Sequence, residues 1–432
     1  MQHDAEATRR VLMRNLVWPL TALTCLNSLD RVNVSFAALQ MNADLGMSNT
    51  AYGLGASLFF VGYMVCQFPH TALLRRIGPR RWISTSVIAW GVVSIAMGCM
   101  QSVAQFYALR VLLGVAEAGF APGIVLILRD WVPPRFRAGA IAGSMLAVPI
   151  SVVLGGPVSG ALLATDLGGL LSSWRFMFLV EGAITVLAGV VAARHFVDTP
   201  AQARFLTPEQ KAWLAEALLQ EPQDAPAVPQ TSIVSLIGSV RIWAAAGVWF
   251  SSLSGAYGLM YWLPLTIKQL SGAGDFVVSV LSTLPWVALG VGMYVNAQHS
   301  DRTQERYWHV GLAAALAGCG IWAGGSVPPG PIALACLTLG ALGLGGAQGA
   351  FWAIPTGFLT RASATRGITL LNLIGNCGGL ITAPLIGALR SRTGSFAAPA
   401  GALGVMLLIG ALLVPLTRRP VAVGALEGTG GE

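Results

Sequence analysis

Long apolar runs recur along this chain at a spacing of roughly 35 residues, room for one membrane-crossing helix and a short loop each time. They fall near 16–37, 52–74, 82–101, 105–128, 138–164, 174–195, 242–267, 276–298, 308–327, 330–358, 367–389 and 397–417. About 20 apolar residues span the hydrocarbon layer as a helix. In lipid every backbone polar group must be satisfied internally, so segments of this length enter as helices. The remaining residues could not solvate a water-soluble alternative. Only 10% are charged, against about 25% in a soluble domain. The expectation is an all-α membrane protein with twelve transmembrane helices.

One long polar segment interrupts the series. It runs from 196 to 240 and holds Asp198-Thr199-Pro200, Thr207-Pro208-Glu209-Gln210 and a proline-rich run from Pro222 to Pro229. Thr207 as N-cap with Pro208 at the first helical position predicts a short amphipathic helix there. The segment divides the chain into an N-terminal half, 1–195, a linker with a short helix, 196–240, and a C-terminal half, 241–432. The halves echo each other. Pro157-Val158-Ser159-Gly160-Ala161-Leu162 in the fifth run matches Pro384-Leu385-Ile386-Gly387-Ala388-Leu389 in the eleventh. A parallel repeat of two six-helix halves predicts such a match.

The formal net charge is +8, but the basic residues form no contiguous stripe for a nucleic acid. They sit in clusters between alternate apolar runs, among them Arg75, Arg76, Arg80 and Arg81, then Arg129, Arg135 and Arg137, then Arg302 and Arg306, then Arg361 and Arg366. With both termini in the cytoplasm these clusters all fall inside. The outer loops then keep only Arg175, Lys268, Arg390 and Arg392, as the positive-inside rule requires. The first run follows Arg9, Arg10 and Arg14, contains Asp30 and Arg31, and lacks a small-residue cleavage site, so it reads as a first span and not as a removed signal peptide. The six cysteines (Cys25, Cys66, Cys99, Cys319, Cys336, Cys377) lie within apolar runs without a paired spacing. They read as small core residues, neither disulfides nor metal ligands.

Function is carried by what the membrane makes expensive. An ionisable side chain near the bilayer centre costs about 2.5–3.5 kcal/mol, and the apolar runs contain Asp30, Arg31, Arg110, Glu117 and Glu181. Asp30 and Arg31 are neighbours, about 100° apart around a helix, so each needs its own partner. Arg110 and Glu117 are seven residues apart and share a helix face. Gathered in one cavity, Asp30, Arg31, Arg110 and Glu117 would form a nearly neutral set. Its acids could exchange protons, and its arginines could bind a carboxylate bidentately. The alternative is a set of static ion pairs bracing the bundle; for Glu181 that plainer role, anchoring the sixth span, is the expectation.

Tyr63, Gln67, Gln348, Asn372 and Asn376 add polar groups inside spans, Gln67 and Gln348 as interhelical glue. Tyr257, Tyr261, Trp262, Trp286, Phe351 and Trp352 either pack or wall a cavity. His70 and His299 are expected in solvated loops. No HExxH, GxSxG or phosphate-loop pattern and no catalytic His/Cys/Asp set occurs, so an enzyme is not expected.

Several stretches resemble one family. These are Leu29-Asp30-Arg31-Val32-Asn33-Val34, Leu58-Phe59-Phe60-Val61-Gly62-Tyr63, the run from Arg110 through Glu117 to Phe120, Tyr257-Gly258 with Trp262-Leu263-Pro264, His299-Ser300-Asp301-Arg302, and Asn372 to Asn376. Over its whole length the chain resembles the major facilitator superfamily, and more narrowly its anion:cation symporters for tartrate-, phthalate- and hydroxyphenylacetate-type acids. The resemblance implies a twelve-helix major facilitator fold in two pseudo-symmetric halves. It implies proton carriers at Asp30 and Glu117, and substrate contacts from Arg31, Arg110, Tyr63, Asn372 and Asn376, with Tyr257 and Trp352 as candidate walls. Conformational control is expected at Arg76, Gly78 and Arg80 and at the second copy, Asp301 and Arg302. In the first copy Arg75 stands where the superfamily usually has an aspartate. The resemblance implies proton or sodium symport, and the expected activity is proton-coupled uptake of a small organic carboxylate by a monomer in a bacterial inner membrane, without a cofactor. A uniporter, exchanger or efflux carrier of the same fold is the alternative.

Overall fold

The computed structural model describes residues 2–145, 147–219, 236–359 and 363–418. The proline-rich run of the linker, Arg361 and Arg419 lie outside the described residues. Twelve helical passes are present among those described. The first is Trp18–Asp44, preceded by the helix Gln2–Leu12 and a wider turn over Met13–Val17, so the helix begins well before the apolar run does. The second and third passes lie within Asn49–Gly98, which folds back at Gly78. Gly78 has φ +80°, a left-handed conformation that a side chain would strain. A Cβ there would also meet the Asp198 carboxylate. The remaining passes are Val103–Glu117 with Phe120–Trp131, Pro134–Met145 with Ala147–Leu163, and Ser173–His195. After the linker come Val240–Ser271, Asp275–Leu281 with Thr283–Thr303, Tyr307–Ser326, Pro331–Phe351 with Ala353–Phe358, Ala364–Thr393 and Ala397–Leu413. The linker helix is Pro208–Leu219. Its start is the expected one: Thr207 Oγ1 accepts from the Gln210 amide at 3.2 Å while Gln210 Oε1 accepts from the Thr207 amide at 3.1 Å.

The packing repeats with a step of six helices, and glycines show where. Span two meets span four where Cβ atoms on Gly62 and Gly114 would strike the Val111 and Phe59 carbonyls. Span eight meets span ten in the same way, through Gly292 on Leu342 and Gly345 on Leu289. Spans three and six pair, as do nine and twelve; one and five pair, as do seven and eleven. Without a hydrophobic force between helices in lipid, such close approach supplies the dispersion contacts that hold the bundle.

Between the halves, span two lies along span eleven, span one along span seven, and span five along span eight. The polar contacts across this seam gather at the face opposite the termini. Gln40 Nε2 donates to Asp275 Oδ2 at 2.9 Å, Thr50 Oγ1 to Ser391 Oγ at 2.9 Å, and the Tyr52 hydroxyl to the Tyr261 carbonyl at 2.8 Å. A Cβ on Gly53 would stand 2.3 Å from the Ala383 carbonyl oxygen, and one on Gly387 2.4 Å from that of Asn49. Gly53→Leu is therefore expected to wedge this face apart. In a cysteine-free background a Ser279→Cys reporter, buried at the seam, should gain reactivity toward a membrane-impermeant maleimide. Unchanged labelling would refute the seal.

At the other face, Glu305 caps the ninth span. Its carboxylate accepts from the amides of Tyr307 and Trp308 at 2.9–3.0 Å and lies 3.0 Å from His309 Nδ1. Partial burial pushes Glu305 up, but the N–H groups of Trp308, His309 and Tyr307 and the His309 ring outweigh it and hold the carboxyl below its ordinary range. The fold thus favours the charged form. That contribution is present above the unfolded value of about 4.3 and disappears as pH falls through the lower folded value. Glu305→Gln should cost about 1 kcal/mol at neutral pH, a deficit that closes on acidification. Thermal unfolding in detergent across a pH series measures it.

Candidate functional site

Asp30 and Arg31, adjacent on the first span, diverge as the helix geometry demands. Arg31 turns toward spans two and four. Its Nε donates to Glu117 Oε2 at 2.6 Å, and its guanidinium carbon lies 4.8 Å from the Tyr63 ring centre and 5.1 Å from that of Phe59. Glu117 is wholly buried. Among the described residues its Oε1 and Arg31 Nη2 have no hydrogen-bond partner.

Arg110 lies on the same face of span four as Glu117 and is also wholly buried. Its Nη2 donates to the Ala56 carbonyl at 3.2 Å and to the Tyr261 hydroxyl at 3.3 Å. Tyr261 belongs to span seven, so this bond crosses between the halves. The guanidinium also lies over the rings of Phe59, 5.1 Å, and Tyr261, 5.6 Å. Its Nε and Nη1 have no hydrogen-bond partner among the described residues.

Asp30 points elsewhere. Its Oδ1 accepts from Ser94 on span three at 3.0 Å, and its Oδ2 from Thr185 on span six at 3.1 Å. The nearly neutral set expected from sequence is therefore not what forms. The 100° between neighbouring residues sends Asp30 into the interior of the N-terminal half, where hydroxyls supply its donors. What remains together is two guanidinium groups and one carboxylate, Arg31, Arg110 and Glu117, with an excess of one positive charge. An excess cation in a low-dielectric site, with donor nitrogens unspent, is what a carboxylate ligand would complete.

From the C-terminal half, the Tyr257 hydroxyl donates to Asn376 Oδ1 at 3.0 Å, and Asn376 Nδ2 donates to the Asn372 carbonyl at 2.9 Å. Tyr257 meets Phe60 edge to face at 4.6 Å between centres, which brings this pair against the aromatic wall of span two. Asn372 thus contributes its backbone carbonyl to the arrangement. Trp352 packs in a separate cluster, 5.0 Å from Trp249 and 5.2 Å from Phe351.

The positions expected to control conformation divide in the same manner. Gly78 forms the turn between spans two and three. The Arg80 amide donates to Asp198 Oδ1 at 3.0 Å, and Arg80 Nε to the Ala193 carbonyl at 2.7 Å. Asp198, after span six, so brings a carboxylate to a turn whose own sequence has Arg75 in place of an acid. Arg76 is exposed. In the second copy Asp301 pairs with Arg306 at 2.5 Å, while its neighbour Arg302 is exposed. Two histidines behave differently from one another. His299 is exposed and bonds to His309 at 2.6 Å. His70 is no loop group: it lies within a helix, against Gly119 and edge-on to Trp82. Sequence reasoning also passed over Asn33, Ser94, Ser159 and Thr185 as partners of the buried acids. Their signal was present as hydroxyls and an amide at helical spacing within apolar runs. Gln348 does act as glue, donating to the Ser252 carbonyl at 3.3 Å.

The family model for the Major Facilitator Superfamily matches residues 20–383. A protein of Agrobacterium vitis bearing a provisional tartrate-transporter name is 39% identical over 418 residues, covering 96% of this chain and 92% of its own. The inner membrane transport protein RhmT of Escherichia coli K12 is 35% identical over 91% of each chain. A quinolone resistance transporter of Acinetobacter baumannii is 34% identical over 96% of this chain and 95% of its own. Among solved structures, a bacterial homologue of the lysosomal transporter Spinster, inward-facing and unoccupied, superposes with a TM-score of 0.76 at 19% identity over 93% of this chain and 96% of its own. A D-xylose–proton symporter gives 0.75 at 15% identity over 93% and 97%. Twelve helical passes in two like-packed halves, a family match across most of the chain and transporter relatives along nearly its full length lead to one conclusion: the chain is a multi-pass membrane transporter and belongs to the Major Facilitator Superfamily.

Proposed function

We propose that the protein takes up a small organic carboxylate together with protons, by alternating access, across a bacterial inner membrane with both termini in the cytoplasm. The observation that carries this reading is Arg110, a buried guanidinium with two unpartnered nitrogens, held beside an Arg31–Glu117 ion pair. A substrate carboxylate docks on Arg110. When Glu117 takes a proton it releases Arg31, and the second guanidinium closes on the same anion. Tyr63, Tyr257 and Asn376 present ring faces and hydrogen-bonding groups to the rest of the substrate. A proton also answers the electrical problem. An inside-negative membrane opposes a monoanion by about 2.3 kcal/mol per 100 mV, and one co-transported proton cancels that charge. Asp30 is the second proton carrier of the reading. The tartrate-named relatives support a hydroxy acid as substrate.

Uptake into proteoliposomes tests this, with labelled tartrate, phthalate, hydroxyphenylacetate, hexonates and simple dicarboxylates, the outside acidic, and a control without gradient. Accumulation of one acid only under the gradient supports symport, and Asp30→Asn should then remove gradient-driven accumulation while leaving some exchange. Equal uptake with and without the gradient overturns coupling. The relative named for quinolone resistance favours export as the second reading. It predicts that everted vesicles extrude a fluoroquinolone while the acid panel stays at background.

A further inference from the structure

Glu181 is buried on span six, and the scheme above gives it no task. Its Oε1 accepts from Ser159 Oγ on span five at 2.7 Å, and its Oε2 accepts from Asn33 Nδ2 on span one at 3.1 Å. The same Asn33 nitrogen lies 3.3 Å from Asp30 Oδ1. One amide group is thus wedged between two carboxyls, both less than 5% exposed. Among the described residues no cation faces them. Arg31 is engaged with Glu117. The other polar neighbours are the hydroxyls of Ser94, Thr185 and Ser159. Two bare carboxylates bridged by one neutral amide would leave two buried negative charges uncompensated, which a low-dielectric interior does not tolerate.

Every neighbour in this network can serve a charged or a neutral acid. A hydroxyl donates to a carboxylate and accepts from a carboxylic acid. Asn33 does the same by turning over. As placed, its Nδ2 faces both carboxyls, and its buried Oδ1 has no partner among the described residues. The turned amide presents that oxygen to the pair and accepts from the acid that carries a proton. The unsatisfied oxygen is thus the second face of a group that fits two protonation states.

We propose that Asp30 and Glu181 form a proton-holding pair read by Asn33, separate from the Arg31–Glu117 pair that holds the anion. It deepens the symport reading by adding a residue to it. Protons would be stored in the wall of the N-terminal half, away from the substrate, so loading could precede binding. Asp30, one residue from Arg31, connects the store to the anion site.

Infrared spectroscopy of the reconstituted full chain, without substrate or gradient, tests the pair directly. The difference between mildly acidic and mildly alkaline spectra should contain the carbonyl band of a buried carboxylic acid. Glu181→Gln should lose that component, because removing one carboxyl relieves the repulsion that keeps a proton on the other, and Glu181→Asp should restore a band. A difference spectrum unchanged in Glu181→Gln overturns the proposal. Should Glu181→Gln fail to fold, Ser159→Ala, which removes a single hydroxyl, is expected to move the band; an unmoved band is equally fatal. The symport reading fails separately, by uptake that ignores the gradient while the band persists.

Discussion

Arg31→Ala is expected to destabilise the protein by about 3–5 kcal/mol, the range found when one partner of a buried ion pair is removed. The reason lies in what is left behind. Glu117 is wholly buried, its Oε1 already lacks a hydrogen-bond partner, and Arg31 is the cation that touches its other oxygen. Without that guanidinium Glu117 must stay charged and unpaired or take up a proton. The double variant Arg31→Ala/Glu117→Gln removes the orphaned charge and should recover most of the lost stability. It should not recover proton-driven accumulation, because the group that releases and the group that is released are both gone. Thermal unfolding in detergent measures the first quantity and proteoliposome uptake the second. A double variant that concentrates substrate would show the pair to be structural only. A single variant as stable as the wild type would show that Glu117 needs no countercharge.

Arg110→Met separates binding from stability in the opposite sense. Arg110 is as buried as Glu117 but has no carboxylate at ion-pair distance; its bonds go to a carbonyl and a phenol. Methionine keeps an apolar stem against Phe59 and removes an uncompensated cation. Replacing a buried charge by a hydrophobic side chain of similar volume is commonly neutral or stabilising. The melting temperature is therefore expected to hold or rise. Anion affinity should fall by the worth of a hydrogen bond to a charged group, about 1.5–3 kcal/mol, roughly 10- to 150-fold. Isothermal titration with the acid identified in the uptake panel reads the loss. Undiminished affinity would remove Arg110 from the site. A sharp fall in stability instead would make it a brace.

The two experiments probe different links of one chain of causes. That the apolar runs are helical follows from hydropathy, because a membrane makes apolar length a nearly sufficient condition for a helix; their ends do not, as the first helix shows by starting before its apolar run. The pairing of Arg31 with Glu117 was half visible: both charges were evident, and the seven-residue spacing placed Arg110 and Glu117 on one face. Which side Asp30 would take was not visible. Helix periodicity gives angles between residues on one helix and says nothing about which neighbouring helix stands at each angle. The hydroxyls of Ser94 and Thr185, on spans three and six, decided it. The same gap hid Asp198. It lies more than 100 residues from the Arg80 amide it receives, and no local pattern announces a carboxylate delivered from another loop. Trp352 shows the converse limit. An aromatic residue within a span reads equally well as a cavity wall or as packing, and its edge-to-face contact with Trp249 became evident only with the helices in place. The glycines were the most informative overlooked letters. Gly62 and Gly292, and likewise Gly114 and Gly345, approach a facing helix of their own half in the same way, and this reveals the repeat that the short Pro-x-x-Gly-Ala-Leu match hinted at.

Tyr261 holds two bonds of different kinds at one residue. Its carbonyl receives the Tyr52 hydroxyl at the sealed face, and its side-chain hydroxyl receives Arg110 in the site. Seal and site therefore meet at a single residue, through its backbone on one side and its side chain on the other. A carboxylate that draws Arg110 away from the phenol takes one of the cross-half bonds with it and lowers the work of parting the halves. By reciprocity, parting the halves frees Arg110 and must tighten its hold on the anion by the same factor. The occupied carrier should then populate the parted arrangement more than the empty one does, with one tyrosine coupling cargo to gate.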